Sequence, residues 1–197
     1  MSKLLSMMMS DKGSEVEFKT NIYSQGNAYI DTMLTDIDGY NIEAIVLDYP
    51  TSIGSTSDFI VGALSGSSGH QTGNVINISY HPNYGSMLSC NYYNNSYANV
   101  DTRVSLYTKP QEVTINIPNI TQATAQDLNV FIFAGNINGT AMYFCNKIKI
   151  KNLQLFKESI KVAELKPAIV NGENGMYDTV TKTFYGNANS VGSLVCE

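Results

Sequence analysis

The sequence predicts an all-β protein, an antiparallel β-sandwich or jelly roll, on three observations. About a dozen short segments either alternate apolar and polar residues or run wholly apolar, as half-buried and fully buried strands do. Clusters of Gly, Asn, Asp, Ser and Pro interrupt them every 8–12 residues or so, the turn spacing of a sandwich. Only Thr121 to Leu128 (TQATAQDL) reads as a helical turn. At 197 residues a single domain buries ~70% of its unfolded surface, so the core needs no disulfide or metal staple.

Met1 to Gly13 stands ahead of this pattern and carries Leu4, Leu5, Met7, Met8 and Met9. It reads either as a frayed terminus or as an arm that docks on a neighbouring subunit, methionine being suited to irregular apolar contacts. The division expected is an arm over 1–14 and a jelly-roll domain over 15–197. Glu15 to Tyr23 alternates through Val16, Phe18, Thr20 and Ile22 and predicts the first strand. Ser24 to Asn27 is a turn, and Ala28 to Leu34 the second strand. Thr35 to Asn41 is a loop, followed by a strand over Tyr40 to Tyr49 with Ile42, Ala44 and Val46 on one face. Pro50 to Ser57 is a loop, and Asp58 to Leu64 a buried strand. The small residues of Ser65 to Gly73 form a loop tip. Asn74 to Tyr80 and Ser86 to Tyr93 are strands about the His81 to Gly85 turn. Val100 to Tyr107 and Gln111 to Ile117 are strands about Lys109-Pro110.

The most informative stretch runs from Asn129 to Gly186. Asn129 to Gly135 is apolar on both parities, as a strand buried on both faces would be. Asn136 to Gly139 is turn chemistry. From Tyr143 to Ile150 the pattern alternates, with Phe144, Ile148 and Ile150 inward and Lys147, Lys149 and Lys151 outward. At Lys151-Asn152 the apolar parity slips by one, and Leu153 and Leu155 carry it onward, which predicts a β-bulge. Glu158-Ser159 turns the chain, and Ile160 to Val170 returns as a strand whose Pro167 belongs at a sheet edge or just past it. Gly175 to Asp178, Thr181-Lys182 and Phe184 to Gly186 make a tight hairpin with its aromatic rings inward. Phe133, Ile148, Ile150 and Phe184 are the expected core of this half.

The order FAGNxNG, then KIKI…LFKE…VAELKPA, then GMYDxVxKxFYGN resembles the C-terminal half of a concanavalin A-like (lectin/glucanase, laminarinase-like) jelly-roll domain. Tyr29-Ile30-Asp31-Thr32 matches the family's usual early strand, with Met33 where Gly is common. The resemblance covers roughly Tyr23 to the C-terminus. It implies the concanavalin A-like topology, and a domain type found in phage structural proteins and gut-bacterial surface proteins. It leaves the ligand open, since function resides in sites grafted on folds.

Charged residues make up 15%, against an average of about 25%, and Asn, Ser, Thr, Gly and 13 Tyr take their place. Such a surface suits adhesion and virion proteins, whose surfaces are mostly contacts. A net charge of −5 argues against nucleic acid, which requires a basic footprint. No run approaches the ~20 apolar residues of a membrane span, and no secretory leader is visible, so assembly in a host cytoplasm is expected. Cys90, Cys145 and Cys196 are odd in number and show no zinc spacing.

Three groups of residues carry site hypotheses. Asp36, Asp38 and Asn41 in Asp-x-Asp-Gly-x-Asn have the oxygen spacing of a calcium loop, though a hairpin turn using Asp and Gly for their backbone behaviour is the simpler reading. In the polar, aromatic run Asn91 to Asn99, Tyr92, Tyr93 and Tyr97 offer rings to a pyranose while Asn91, Asn94, Asn95 and Asn99 offer hydrogen bonds; the alternative is that Tyr92 or Tyr93 simply alternates into the sandwich. The third group is the arm. The Glu-x-Asp-x-x-Glu strand of retaining glucanases of this fold, which places two carboxyl groups ~5 Å apart, is absent, as is Trp. His70 and His81 stand in turns without a nucleophile motif. The expectation is a non-enzymatic phage virion protein without cofactor: a fibre, adhesin or capsid decoration subunit. It would be homo-oligomeric, contacting other virion proteins and attaching to a host-surface glycan. The alternatives are a lectin-like module of a bacterial surface protein and a glycoside hydrolase.

Overall fold

The computed structural model describes residues 15–52, 58–65, 72–81, 83, 85–93, 102–117 and 127–197. Among them the chain is all-β, and its strands form two large sheets. Sheet A holds β1 (Val16–Phe18), β2 (Ile22–Gln25), β4 (Gly39–Val46), β9 (Gln111–Ile117), β13 (Ile148–Lys157), β14 (Ile160–Val170), β15 (Glu173–Asp178), β16 (Thr183–Tyr185) and β17 (Ser193–Cys196). Sheet B holds β3 (Ile30–Asp31), β5 (Asp58–Ser65), β6 (Thr72–His81), β7 (Gly85–Tyr93), β8 (Thr102–Ser105), β10 (Phe131–Ile132), β11 (Gly135–Ile137) and β12 (Thr140–Met142). Neighbours pair antiparallel, except that β11 runs parallel to β5. One apolar cluster joins the sheets, with Tyr40, Ile42, Ile115, Ile150, Leu153, Leu155 and Leu165 from A meeting Ile60, Ile76, Ile78, Leu88, Ile132 and Phe133 from B. The molecule is a β-sandwich. The expected helical turn at Thr121 lies outside the described residues up to Asp127.

Strand β13 sits at the centre of sheet A. Along one edge it pairs with β4 from Ile148↔Val46 to Phe156↔Gly39. Along the other it pairs with β14 over Leu153 to Lys157 and then with β2 at Ile150↔Ile22. The register against β4 slips between Ile150 and Asn152. That is the bulge the parity slip predicts, and it keeps Ile148, Ile150, Leu153 and Leu155 all inward, each fully buried.

Several sequence expectations need correction. The single strand Glu15 to Tyr23 is two, because β1 pairs with β14 and β2 with β13 and β17. Pro167 is inside the sheet, paired with Met176 of β15. On its other side the Pro167 carbonyl accepts from Lys19 N (2.9 Å), and β13 has already given way to β1. Its missing N–H falls at this change of neighbour, which serves proline as an edge would. The strand Asn129 to Gly135 is likewise two. Phe133 adopts φ 65° and reverses the chain, so β10 runs antiparallel and β11 parallel to β5. Burial on both parities comes from this fold-back: Phe133 N donates to Ile60 O and Cys145 N to Phe133 O. The turn lies at Asn138-Gly139, both at positive φ, with β11 starting at Gly135. The segment from Tyr143 to Lys147 is irregular, and β13 starts at Ile148.

In the C-terminal hairpin the rings divide between two faces. Met176 and Tyr185 stand opposite each other toward the core. Tyr177 and Phe184 stand opposite each other on the outer face, where Phe18 packs edge-on against Tyr177 with centroids 5.8 Å apart. Phe184 is therefore half-buried, lying over Gly175, where a Cβ would collide with its ring. Phe133→Ala, which removes a fully buried side chain, should cost about 3–5 kcal/mol in urea unfolding. Phe184→Ala should cost roughly half as much. Equal midpoint shifts for the two variants would contradict this placement.

Candidate functional site

The residues singled out by sequence are dispersed. The arm residues Leu4, Leu5, Met7, Met8 and Met9 lie outside the described residues, as do Asn94, Asn95, Tyr97 and His70. Asn91, Tyr92 and Tyr93 close β7, opposite Val75, Asn74 and Gly73, at successive positions of a strand, which alternate between its faces.

The acidic loop engages the β13–β14 hairpin. Asp36, at φ 57°, pairs with Lys157 at 3.1 Å. Asp38 Oδ2 accepts from Glu158 N at 2.8 Å, in the turn that joins the two strands. Asn41 has left the loop and lies in β4, opposite Gln154. The three point to different partners, and among the described residues no three His, Cys, Asp or Glu side chains gather as a metal would require.

The described lysines are largely spent on carboxylates. Lys147 meets Asp58 at 2.6 Å and Lys151 meets Glu112 at 2.6 Å. Lys149 pairs with Glu197 and lies over the Tyr23 ring. Lys109 pairs with Asp48. These pairings act on titration. The Lys109 hydrogen bond, with one from Tyr49 N, holds the Asp48 carboxyl below its usual range. The Lys161 hydrogen bond does the same for Glu164 against the opposing effect of burial. Burial pushes the Cys145 thiol up to about 12, so it is a neutral core group.

The register reveals a surface that the sequence does not. On the outer face of sheet A, Asn116, Asn41, Gln154 and Glu164 stand in one row across β9, β4, β13 and β14. Thr114, Glu43 and Asn152 make the next row. Asn41 Nδ2 donates to Gln154 Oε1 at 3.5 Å. Asn41 Oδ1 and Asn152 Oδ1 are buried without a hydrogen-bond partner among the described residues. Where the bulge displaces Lys151, a shallow depression of about 140 Å³ opens between Glu43, Glu112, Thr114 and Lys151. It is well below the ~300–1,000 Å³ of small-molecule pockets. Polar parity along three strands hints at these rows, but only the register assembles them.

No family model matches the chain, and no curated protein or solved structure matches it.

The Glu164 pairing gives a pH test. A depressed carboxyl contributes stability that is present above its unfolded value, about 4.3, and is lost as pH falls through the lower folded value. Lys161→Ala should bring the folded value toward the unfolded one. The variant should therefore lose less stability than the parent between pH 6 and pH 3, by at most ~1 kcal/mol for a solvent-screened pair. Urea midpoints at the two pH values measure it, and parallel losses would refute it.

Proposed function

We propose that this chain is a non-enzymatic phage virion subunit of fibre, adhesin or capsid decoration type. Its sandwich, of concanavalin A-like jelly-roll topology, makes subunit contacts and attaches to a host-surface glycan. The observation that carries the reading is the state of the surface. Lysines and carboxylates neutralise one another, while amides and hydroxyls line the face of sheet A and apolar side chains stay exposed. Phe18 is 52%, Tyr107 76%, Ile160 66% and Val191 61% exposed. Such a surface offers many neutral contacts. The low charged fraction and the resemblance of the C-terminal motifs support the virion assignment, with other virion proteins and further copies of the chain as partners.

Particles of the encoding phage, purified by density gradient and probed with antibody against this chain, should contain it at a fixed copy number. Deleting residues 1–14 should leave the sandwich folded, since β1 begins at Val16, and should lower incorporation several-fold. Absence from purified particles would overturn the assignment. Full incorporation of the truncated chain would move the contacts from the arm to the sandwich.

A further inference from the structure

We infer that the corner of sheet A formed by β1, β14, β15 and β16 receives the N-terminal arm on its outer face, and that the arm comes from a second copy of this chain. The inference rests on the assembly role proposed above for residues 1–14 and gives that role a receiving surface. Two copies exchange arms about a two-fold axis. Each seats its Leu4 to Met9 against Phe18, Tyr177 and Phe184 of the other.

Register places Phe18, Ala168 and Gly175 in one row across β1, β14 and β15. Lys166, Tyr177 and Phe184 make the next row across β14, β15 and β16. Both rows face away from the interior, because Leu165 and Met176, on the opposite parity, lie in the core that joins the sheets. Ala168 is fully buried yet belongs to neither apolar core cluster. It is the floor of a separate apolar layer on the outside of the sandwich. Gly175 continues that floor without a side chain, and the Phe184 ring lies over it. Phe18 walls the layer at β1 and stays 52% exposed, although Tyr177 packs against its ring. Rings standing around small residues make a shallow apolar recess. Its one charge, Lys166, stands 3.8 Å from Glu164.

The arm has the matching chemistry and begins beside the recess. Leu4 to Met9 reads Leu-Leu-Ser-Met-Met-Met and carries no charge. Methionine suits an uneven apolar surface, since its side chain is flexible and its sulfur sits favourably at a ring edge. The arm joins the sheet at Val16, and Phe18 is the other end of that short strand. Extended, residues 1–14 span up to about 50 Å. A compact chain of this length has a radius of gyration of roughly 16 Å, so the Leu/Met segment can reach well beyond the sandwich that carries it.

Strand direction selects a second copy over the arm's own sandwich. β1 runs antiparallel to β14, with Val16 opposite Val170 and Phe18 opposite Ala168. Val170 pairs with Glu173 at the turn end of the β14–β15 hairpin, while Tyr177 lies further along, opposite Lys166. Followed back from Phe18 to Val16, the chain heads for the hairpin turn and away from the Tyr177 and Phe184 rings. Seating the arm on its own copy requires a reversal over Val16. A second copy requires none, because a two-fold axis beside β1 places each recess in the path of the other's arm. Such an interface is self-complementary and closes at two copies.

Light scattering on the purified full chain should give twice the chain mass, and the same for Tyr107→Ser, which removes an exposed ring elsewhere. Deleting residues 1–14, or Phe18→Glu, should each raise the dimer dissociation constant roughly tenfold or more, as loss of an interface anchor does. Both changes spare the buried core, and melting curves check that each variant is folded. An equimolar mixture of these two variants should recover part of the pairing, because one supplies the arm and the other the recess. The contact is then mapped with p-benzoylphenylalanine in place of Met8, on isotopically light and heavy copies mixed while dilute and then concentrated. Cross-links should join the arm to peptides that contain Phe18, Tyr177 or Phe184, with mixed-isotope pairs as common as same-isotope pairs. A monomeric parent, a deletion variant that pairs like the parent, no gain on mixing, same-isotope cross-links alone, or cross-links that fall elsewhere or do not form would overturn the site. Particle incorporation is read separately. A chain that pairs in this way but is absent from particles overturns the virion reading and leaves this surface standing; a monomeric chain present in particles does the reverse.

Discussion

A strand has two edges, and β13 serves three neighbours. That constraint shapes sheet A. β4 takes one edge of β13 along its length, so β14 and β2 must share the other. The handover falls between Ile150 and Leu153, where the bulge sits. Without the extra residue, a one-residue slip would send every later side chain to the wrong face, exposing Leu153 and Leu155. The change of neighbour recurs one strand over, where β14 exchanges β13 for β1 at Pro167. The residues between β1 and β2 cross the same line, with Lys19 bonded to Pro167 and Thr20 and Asn21 bonded to Glu197. Bulge, proline and strand break are three local responses to one seam.

Some of this is legible in the sequence and some is not, for physical reasons. The bulge is legible because it leaves a trace in side-chain parity at Lys151-Asn152. The Glu158-Ser159 turn is legible because two apolar runs need a reversal between them. The break between β1 and β2 is not legible, since Val16, Phe18, Thr20 and Ile22 keep one alternation while the pairing partner changes beneath them. Nor is the reversal at Phe133. A wholly apolar run has no phase to interrupt, and nothing about a phenylalanine announces a positive φ. Met33, at φ 56° with a half-exposed side chain, takes a backbone conformation that glycine adopts freely.

The candidate site divides in the same way. Residue types are legible and register is not. Asp36, Asp38 and Asn41 suggest one cation loop on spacing alone, yet β4 begins at Gly39 and separates them. The two aspartates turn to Lys157 and to Glu158 N, while Asn41 joins a row contributed by strands 75 and 113 residues further along the chain, at Asn116 and Gln154. Alternation within each strand says that these side chains share a polar face. It cannot say which of them stand side by side, because that depends on strand order and on the bulge.

The resolved carboxylate shifts follow from their lysine partners. A general acid at neutral pH needs a carboxyl raised toward its working pH, through burial or a like charge. The shifts resolved for Asp48 and Glu164 run downward, each through a lysine that favours the ionised form. Such carboxylates accept hydrogen bonds and do not give protons. On the attachment role proposed above, the neutral amides in the row with Glu164 would exchange water for ligand hydroxyls at a modest net gain, about 1 kcal/mol per bond. On that role, affinity would come from repetition along a row, and repeated presentation on a particle would multiply it further. On the reading proposed above, an open amide face with paired charges would be effective in many copies and weak in one.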